Sequence, residues 1–250
     1  MSLKKHIDSF NNIRGAMIFE FFSPGIPIIL KNAGCQFIIF DMEHGGLSLE
    51  QFKTLAIISN ANNIAPLIRI PEVNYNYVAR ALDLGAAGIM APMVNTYEDA
   101  QKIVQSSKYP PKGVRGAGFG FAHDKYKNEG PLSYIDKANN NLINIIQIET
   151  KLGLENVEEI AAIEGVDCLW VGHFDLTNFL GIPGQFSSDI YLNSIHRVVA
   201  AAKSNKKSLG IMVNSHDELK MYSNLGFNMI AVGTEMSILS RSISQILQQF

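Results

Sequence analysis

Residues 37–46 read Phe-Ile-Ile-Phe-Asp-Met-Glu-His-Gly-Gly, four apolar residues running straight into two acids and a histidine. A continuous apolar run this short reads as a strand covered on both faces, as in a parallel sheet. Seven more runs of the same kind occur at helix-plus-strand spacing, at 16–20, 65–70, 87–91, 143–148, 168–171, 208–213 and 229–232. Helical patterns lie between them. Residues 48–60 open on Ser48 with Gln51 three positions on, a capping-box signature. Helices over 74–84, 155–163 and 216–225 stop at Gly85, Gly165 and Gly226. Strand–helix alternation specifies an α/β fold, and eight strands favour closure into a single (β/α)8 TIM barrel spanning residues 1–250.

Two segments depart from the rhythm. Residues 108–141 are Pro/Gly-rich and too long for an ordinary connection, which suggests a lid, a binding loop or an oligomer contact. The glycines Gly113, Gly116, Gly118 and Gly120 do not make a dinucleotide fingerprint. That motif follows a strand and opens a helix, whereas these follow a helix and Pro110-Pro111. The tail 234–250 reads as a last helix with Ile238, Leu239, Ile243, Ile246 and Leu247 on one apolar stripe, so a subunit contact is expected there.

Composition narrows the classes. The 250 residues are 47% hydrophobic and 18% charged, with a formal net charge of -2. A chain so nearly neutral has no field for holding nucleic acid or an anionic membrane. No apolar run approaches the ~20 residues of a membrane helix. Cys35 and Cys168 are two lone thiols in or beside apolar runs, and no secretory pattern opens the chain, so a cytoplasmic protein is expected.

In a barrel of this kind the chemistry forms where strands end. The ends carry Glu20; Asp41, Glu43 and His44; Arg69; Gln147 and Glu149; His173 and Asp175; and Asn214. Acids, a histidine and an arginine gathered on one rim are costly unless they pair or bind something. Glu149 and Asp175 suit a hard cation such as Mg2+ or Mn2+, or else accept bonds from helix N-termini or pair with Arg69. His44 is either a general base or a third metal ligand. Arg69 either pairs with Asp41 or Glu43 or holds a developing enolate oxygen. Asp83, late in its helix, reads as ordinary helix surface or a cap.

The segments FDMEHGGLS, PLIRIP, ALDLGAAGIMAPMVNT, KGVRG, IIQIET and VGHFDLTNFLGIPGQF, in this order and spacing, resemble the metal-dependent pyruvate aldolases. That family includes 4-hydroxy-2-oxo-heptanedioate aldolase and 2-dehydro-3-deoxyglucarate aldolase. The resemblance implies that Glu149 and Asp175 ligate a divalent metal (Mg2+, Mn2+ or Co2+), with water and two 2-oxo acid oxygens completing the shell. It implies that His44 accepts the proton, that Asp83 raises its basicity, and that Arg69 stabilises the enolate. Gln147, Asp175 and the backbone around Phe174 would contact the pyruvate half of the substrate. It further implies aldol cleavage to pyruvate and an aldehyde, oxaloacetate decarboxylation as a side activity, and trimers pairing into hexamers. The family often carries Pro-Ala or Pro-Asn where this chain has His173-Phe174. The competing reading is a citryl-CoA-type lyase, for which Lys108, Lys112, Arg115, Lys125 and Lys127 would supply a basic entrance for CoA phosphates.

Overall fold

The computed structural model describes residues 2–127 and 130–248. Eight strands form one closed, all-parallel barrel in sequence order: β1 Ile13–Ile18, β2 Phe37–Asp41, β3 Ala65–Arg69, β4 Gly88–Ala91, β5 Ile143–Ile148, β6 Cys168–Val171, β7 Ser208–Val213 and β8 Met229–Thr234. Closure is made by β1 on β8, with Ile13 opposite Met229 and Met17 opposite Thr234. Among the described residues no helix is long and apolar enough to cross a membrane.

Continuous apolar strands arise because both faces are covered, and the two faces build separate cores. Ile38, Phe40, Ile68, Ile146, Ile148, Leu169 and Val171 point outward and pack under the helices. Phe37, Ile39, Leu67, Met90, Ile145, Cys168, Trp170 and Met229 fill the barrel interior. Side chains alternate along a strand, so the inward series on β2 is Phe37, Ile39, Asp41. On β3 it is Ala65, Leu67, Arg69, and on β5 Ile143, Ile145, Gln147, then Glu149. Each series turns from apolar to polar at its C-terminal end, which aims those polar groups into the mouth of the barrel.

Three boundaries differ from the sequence reading. β1 lies at Ile13–Ile18 rather than 16–20, because the Phe19 and Glu20 N–H groups bond the Glu235 carboxylate instead of a strand. The helix expected over 155–163 is two pieces, Lys151–Glu155 and Val157–Ala162, hinged at Asn156, whose amide donates to the Asn95 carbonyl (2.8 Å). The segment 108–141 is not loop throughout, since Gly130 and Pro131 start a helix over Pro131–Asn141. Within one chain this segment is held to the outer wall and the underside. The Gly116 N–H donates to the Tyr75 hydroxyl (2.9 Å), and Asn139 exchanges bonds with both the N–H and the carbonyl of Tyr109. The last helix spans Glu235–Leu247; residues 249 and 250 of the expected tail lie outside the described residues. None of its side chains is buried, and Ile243, Ile246 and Leu247 are 48%, 62% and 62% exposed.

The barrel interior is filled to contact. A Cβ added at Gly210 on β7 would lie 2.2 Å from the Trp170 ring on β6. Gly210→Ala is therefore expected to overpack the interior and destabilise the fold by about 1–3 kcal/mol, measured as a lower urea midpoint with an unchanged m-value.

Candidate active site

β2 and β3 lie side by side with Asp41 opposite Arg69, so their last residues meet. The Arg69 Nε donates to Asp41 Oδ1, and its Nη1 lies 2.9 Å from Glu43 Oε2. Its Nη2 is buried with no protein partner. The guanidinium also packs over the Phe19 ring, 5.3 Å from the centroid. Asp41 is fully buried and accepts three backbone donors as well: Glu43 N–H (3.2 Å) and, on its other oxygen, His44 N–H (2.8 Å) and Gly45 N–H (3.0 Å). The loop that presents His44 is thus wrapped around the carboxylate that holds Arg69. The His44 side chain is 58% exposed at the mouth, with Nε2 3.8 Å from Glu43 Oε2.

Glu149 completes the inward series of β5. Its Oε1 accepts from the Met93 N–H at 2.6 Å, and its Oε2 accepts from the Gln147 amide, whose own oxygen is buried and unpartnered. Burial, and then the nearby charges of Glu43 and Asp175, push the Glu149 carboxyl up to about 7. Burial raises Glu43 too, against the pull of Arg69. Gly172 is required beside Glu149, since a Cβ there would lie 2.3 Å from its Oε2. Asp175 stands in the first turn of the short helix His173–Phe179 and is half-buried.

Four carboxylates (Asp41, Glu43, Glu149 and Asp175) therefore share one neighbourhood with a single guanidinium. Asp41 is satisfied by the protein, and Glu43 is partnered by Arg69. Glu149 and Asp175 have no cation of their own among the described residues, and at Glu149 burial first, then the neighbouring acids, disfavours the charged form. Two oxygen donors, an orphaned amide oxygen and excess negative charge fit a hard divalent cation that keeps waters and takes other ligands from the substrate. Among the described residues no set of three or more His, Cys, Asp or Glu is poised as a closed metal cage.

Other expected groups lie elsewhere. Asp83 ends the helix Tyr75–Asp83, which runs back down the outside of the barrel for roughly 13 Å at ~1.5 Å per residue. It pairs there with the buried Arg115 (2.6 Å), away from His44 at the strand ends. Within one chain Asp83 is not the partner of His44. His173 is buried against Phe174 and Phe186, and burial lowers its imidazole to about 4, so it stays neutral near pH 7. His123 contacts the Asp83 carbonyl through Nδ1. Phe174 is 54% exposed beside Asp175. Glu20 is exposed, and Asn214 uses its backbone to bond Glu218 and Arg241. Three of the five basic residues expected at an entrance for CoA lie away from the rim. Lys108 is buried on the Asn139 carbonyl, Arg115 is taken by Asp83, and Arg115 and Lys125 line a cavity of about 610 Å³ on the underside of the barrel. Glu235, which no motif singled out, holds three consecutive N–H groups of the loop after β1.

The family description HpcH/HpaI aldolase/citrate lyase matches residues 22–242. This chain belongs to the HpcH/HpaI family. It is 34% identical over 230 residues to a hydroxypyruvate/pyruvate aldolase of Deinococcus radiodurans, covering 89% of this chain and 80% of that one. It is 31% identical over 228 residues to a 5-keto-4-deoxy-D-glucarate aldolase of Salmonella paratyphi C, covering 91% and 88%. The crystal structure of an HpcH/HpaI aldolase from Desulfitobacterium hafniense DCB-2 superposes with a TM-score of 0.95 at 27% identity, covering 100% of this chain and 96% of that one. As a member of this family the chain is a lyase-type enzyme on a TIM barrel.

The raised Glu149 carboxyl has a measurable sign. With the folded-state value near 7 and the ordinary value 4.5, charging Glu149 costs folding free energy as pH rises across that window. Glu149→Gln removes the cost. In chelator, the variant is expected to gain on the order of 1–3 kcal/mol relative to wild type between pH 5 and pH 8. Urea unfolding at both pH values checks this, and an equal difference at the two would count against a strained Glu149.

Proposed function

We propose that this chain is a carbon–carbon lyase that cleaves a 4-hydroxy-2-oxo acid into pyruvate and an aldehyde, with a divalent cation held by Glu149 and Asp175. The observation that carries the reading is the gathering, in the mouth of the barrel, of Glu149 and Asp175 within electrostatic reach of each other and of Arg69, whose Nη2 is buried without a protein partner. The relatives named as pyruvate and keto-deoxy-glucarate aldolases support it.

When bound, the cation supplies positive charge that polarises the 2-oxo acid carbonyl. The Gln147 amide and the backbone around Phe174 position the pyruvate half. His44 takes the proton of the 4-hydroxyl group, and that O–H electron pair becomes the aldehyde carbonyl. The C3–C4 bond breaks, and its electrons form the pyruvate enolate. The free Nη2 of Arg69 donates to the enolate oxygen, where negative charge develops, and a proton added at C3 yields pyruvate. His44 is exposed enough to meet the substrate and is fixed through its backbone by Asp41. Oxaloacetate losing CO2 would give the same enolate, so its decarboxylation is the side activity this arrangement permits.

Phe174 gives the mouth an apolar wall next to Asp175. Acceptor aldehydes with an apolar substituent are the class it favours. The exposed stripe on the helix Glu235–Leu247 supports a homo-oligomer in which this helix is covered by another copy. Two unpaired thiols, Cys35 and Cys168, suit a cytoplasmic setting.

Chelated enzyme restored with Mg2+, Mn2+ or Co2+ and tested against oxaloacetate and several 4-hydroxy-2-oxo acids is expected to be inactive until metal returns. Full turnover without metal would sink the assignment. In the same series His44→Ala should slow aldol cleavage by roughly 10²–10⁴-fold, the usual range for loss of a general base. Decarboxylation, which takes no proton from a hydroxyl, should change far less; an equal loss in both with weaker metal binding would make His44 a ligand.

Light scattering of the full chain against one ending at Gly233 is expected to show an oligomer that dissociates on truncation. A monodisperse full-length monomer would refute the subunit contact.

A further inference from the structure

The loop after β1 touches both halves of the proton-transfer and enolate machinery. The Phe19 ring lies under the Arg69 guanidinium. The Phe19 carbonyl abuts Gly45, where an added Cβ would sit 2.4 Å from it, 2.8 Å from the Asp41 carbonyl and 3.2 Å from the Phe22 ring. Gly45 is next to His44, and its N–H is bonded to Asp41. Residues 19–22 therefore form one side of the seat of Arg69, beside its bonds to Asp41 and Glu43, and the wall against which the His44 loop rests.

Strand pairing does not hold this loop, because β1 ends at Ile18. A single oxygen, Glu235 Oε1, accepts instead from the N–H groups of Phe19 (2.9 Å), Glu20 (2.6 Å) and Phe21 (3.0 Å). Three successive N–H groups converging on one point form a backbone nest, a concavity suited to an anion, and here the chain fills it with its own carboxylate. Bonds to a charged acceptor are roughly twice as strong as neutral ones. Among the described residues the Phe21 N–H has no other acceptor, so the carboxylate holds that turn together with the Phe22 N–H bond to the Glu20 carbonyl (3.1 Å). Glu235 is the first residue of the last helix and follows β8, so it also ties the closing strand of the barrel to the opening one.

We propose that Glu235 is a positioning residue for this enzyme, acting through the 19–21 nest and Phe19 to hold Arg69 and the His44 loop in register. The proposal rests on the aldolase reading for its kinetic consequence, and on contacts alone for its structural one. A displacement of about 1 Å in a catalytic group costs up to roughly 10²-fold in rate. Glu235→Ala should accordingly lower kcat by about 10- to 100-fold. KM should move much less, because Gln147 on β5, Glu149 just beyond it and Asp175 in the helix His173–Phe179 are positioned by other elements. Glu235→Gln keeps an acceptor oxygen in the nest and should retain most of the rate.

The test combines kinetics with amide exchange. In the metal-restored enzyme, added formate should fill the vacated nest of Glu235→Ala and recover kcat saturably, beyond wild type assayed in the same formate and beyond matched NaCl. Amides of Phe19, Glu20 and Phe21 should lose protection, and so should those of His44 and Gly45. A kcat within twofold of wild type overturns the proposal. So does a loss that Glu235→Gln reproduces in full and formate does not relieve, since that pattern marks general destabilisation. If the alanine variant does not fold, Glu235→Asp, one methylene short of the nest, is judged by the same criteria. If wild type turns over no 2-oxo acid, the aldolase reading fails, and amide exchange at His44 and Gly45 alone decides the positioning role: faster exchange upholds it and unchanged exchange overturns it.

Discussion

A fully buried carboxylate on the last residue of β2 receives four donors at once: the Arg69 guanidinium and the backbone N–H groups of Glu43, His44 and Gly45. Removing an ion from water costs several kcal/mol, and only a full set of donors offsets it. Asp41 has that set, and in accepting it the carboxylate fixes Arg69 on β3 and shapes the turn that carries His44. A neutral residue at this position would leave Arg69 buried beside Glu43 alone and would release three N–H groups into a loop with no other acceptor. Much of the geometry on this side of the mouth therefore follows from one side chain.

The barrel was legible in the sequence because the strands are covered on both faces. Runs such as Phe37–Asp41 and Ile143–Ile148 hide their alternation only in their lower parts, where inward and outward residues are both apolar. Near the mouth the inward positions become polar, so Asp41, Arg69, Gln147 and Glu149 stand out as the residues that break an apolar run. The same logic brings Glu43, His44 and Asp175 to the site, since each lies within a few residues of a strand end. These are local signals, readable because the distance from strand end to rim is short.

What the sequence did not reveal depends on contacts far apart in the chain. Glu235 lies 214 to 216 positions from the N–H groups it holds, and its neighbours VGTEMS carry no motif. Only the closure of β8 on β1 makes it visible. Asp83 illustrates the opposite case. Its place late in a helix reads as surface or a cap, whereas in the single chain its carboxylate pairs with the buried Arg115, a residue 32 positions on whose approach no local pattern announces. The helix Pro131–Asn141 was missed because a Pro/Gly-rich stretch precedes it. Yet Gly130 at φ 96 and Pro131 at the first helical position form a usable start signal.

The division of labour within the barrel follows from these positions. Below the mouth, Phe37, Ile39, Leu67, Ile145, Trp170 and Met229 exclude water and supply the favourable burial. At the mouth the balance reverses, for Glu149 is held in a place where its charged form is disfavoured and Glu43 is likewise raised. A fold can carry such a cluster only if its stability is generated elsewhere, and a fully packed barrel does that. The strain is also useful. In the proposed metal site, a carboxylate whose charge burial disfavours would gain more from a cation than one already satisfied, and Asp41 is the acid that already holds four donors. Two acids at one mouth are thus treated oppositely by the same scaffold, Asp41 surrounded by four donors and Glu149 held where burial disfavours its charge.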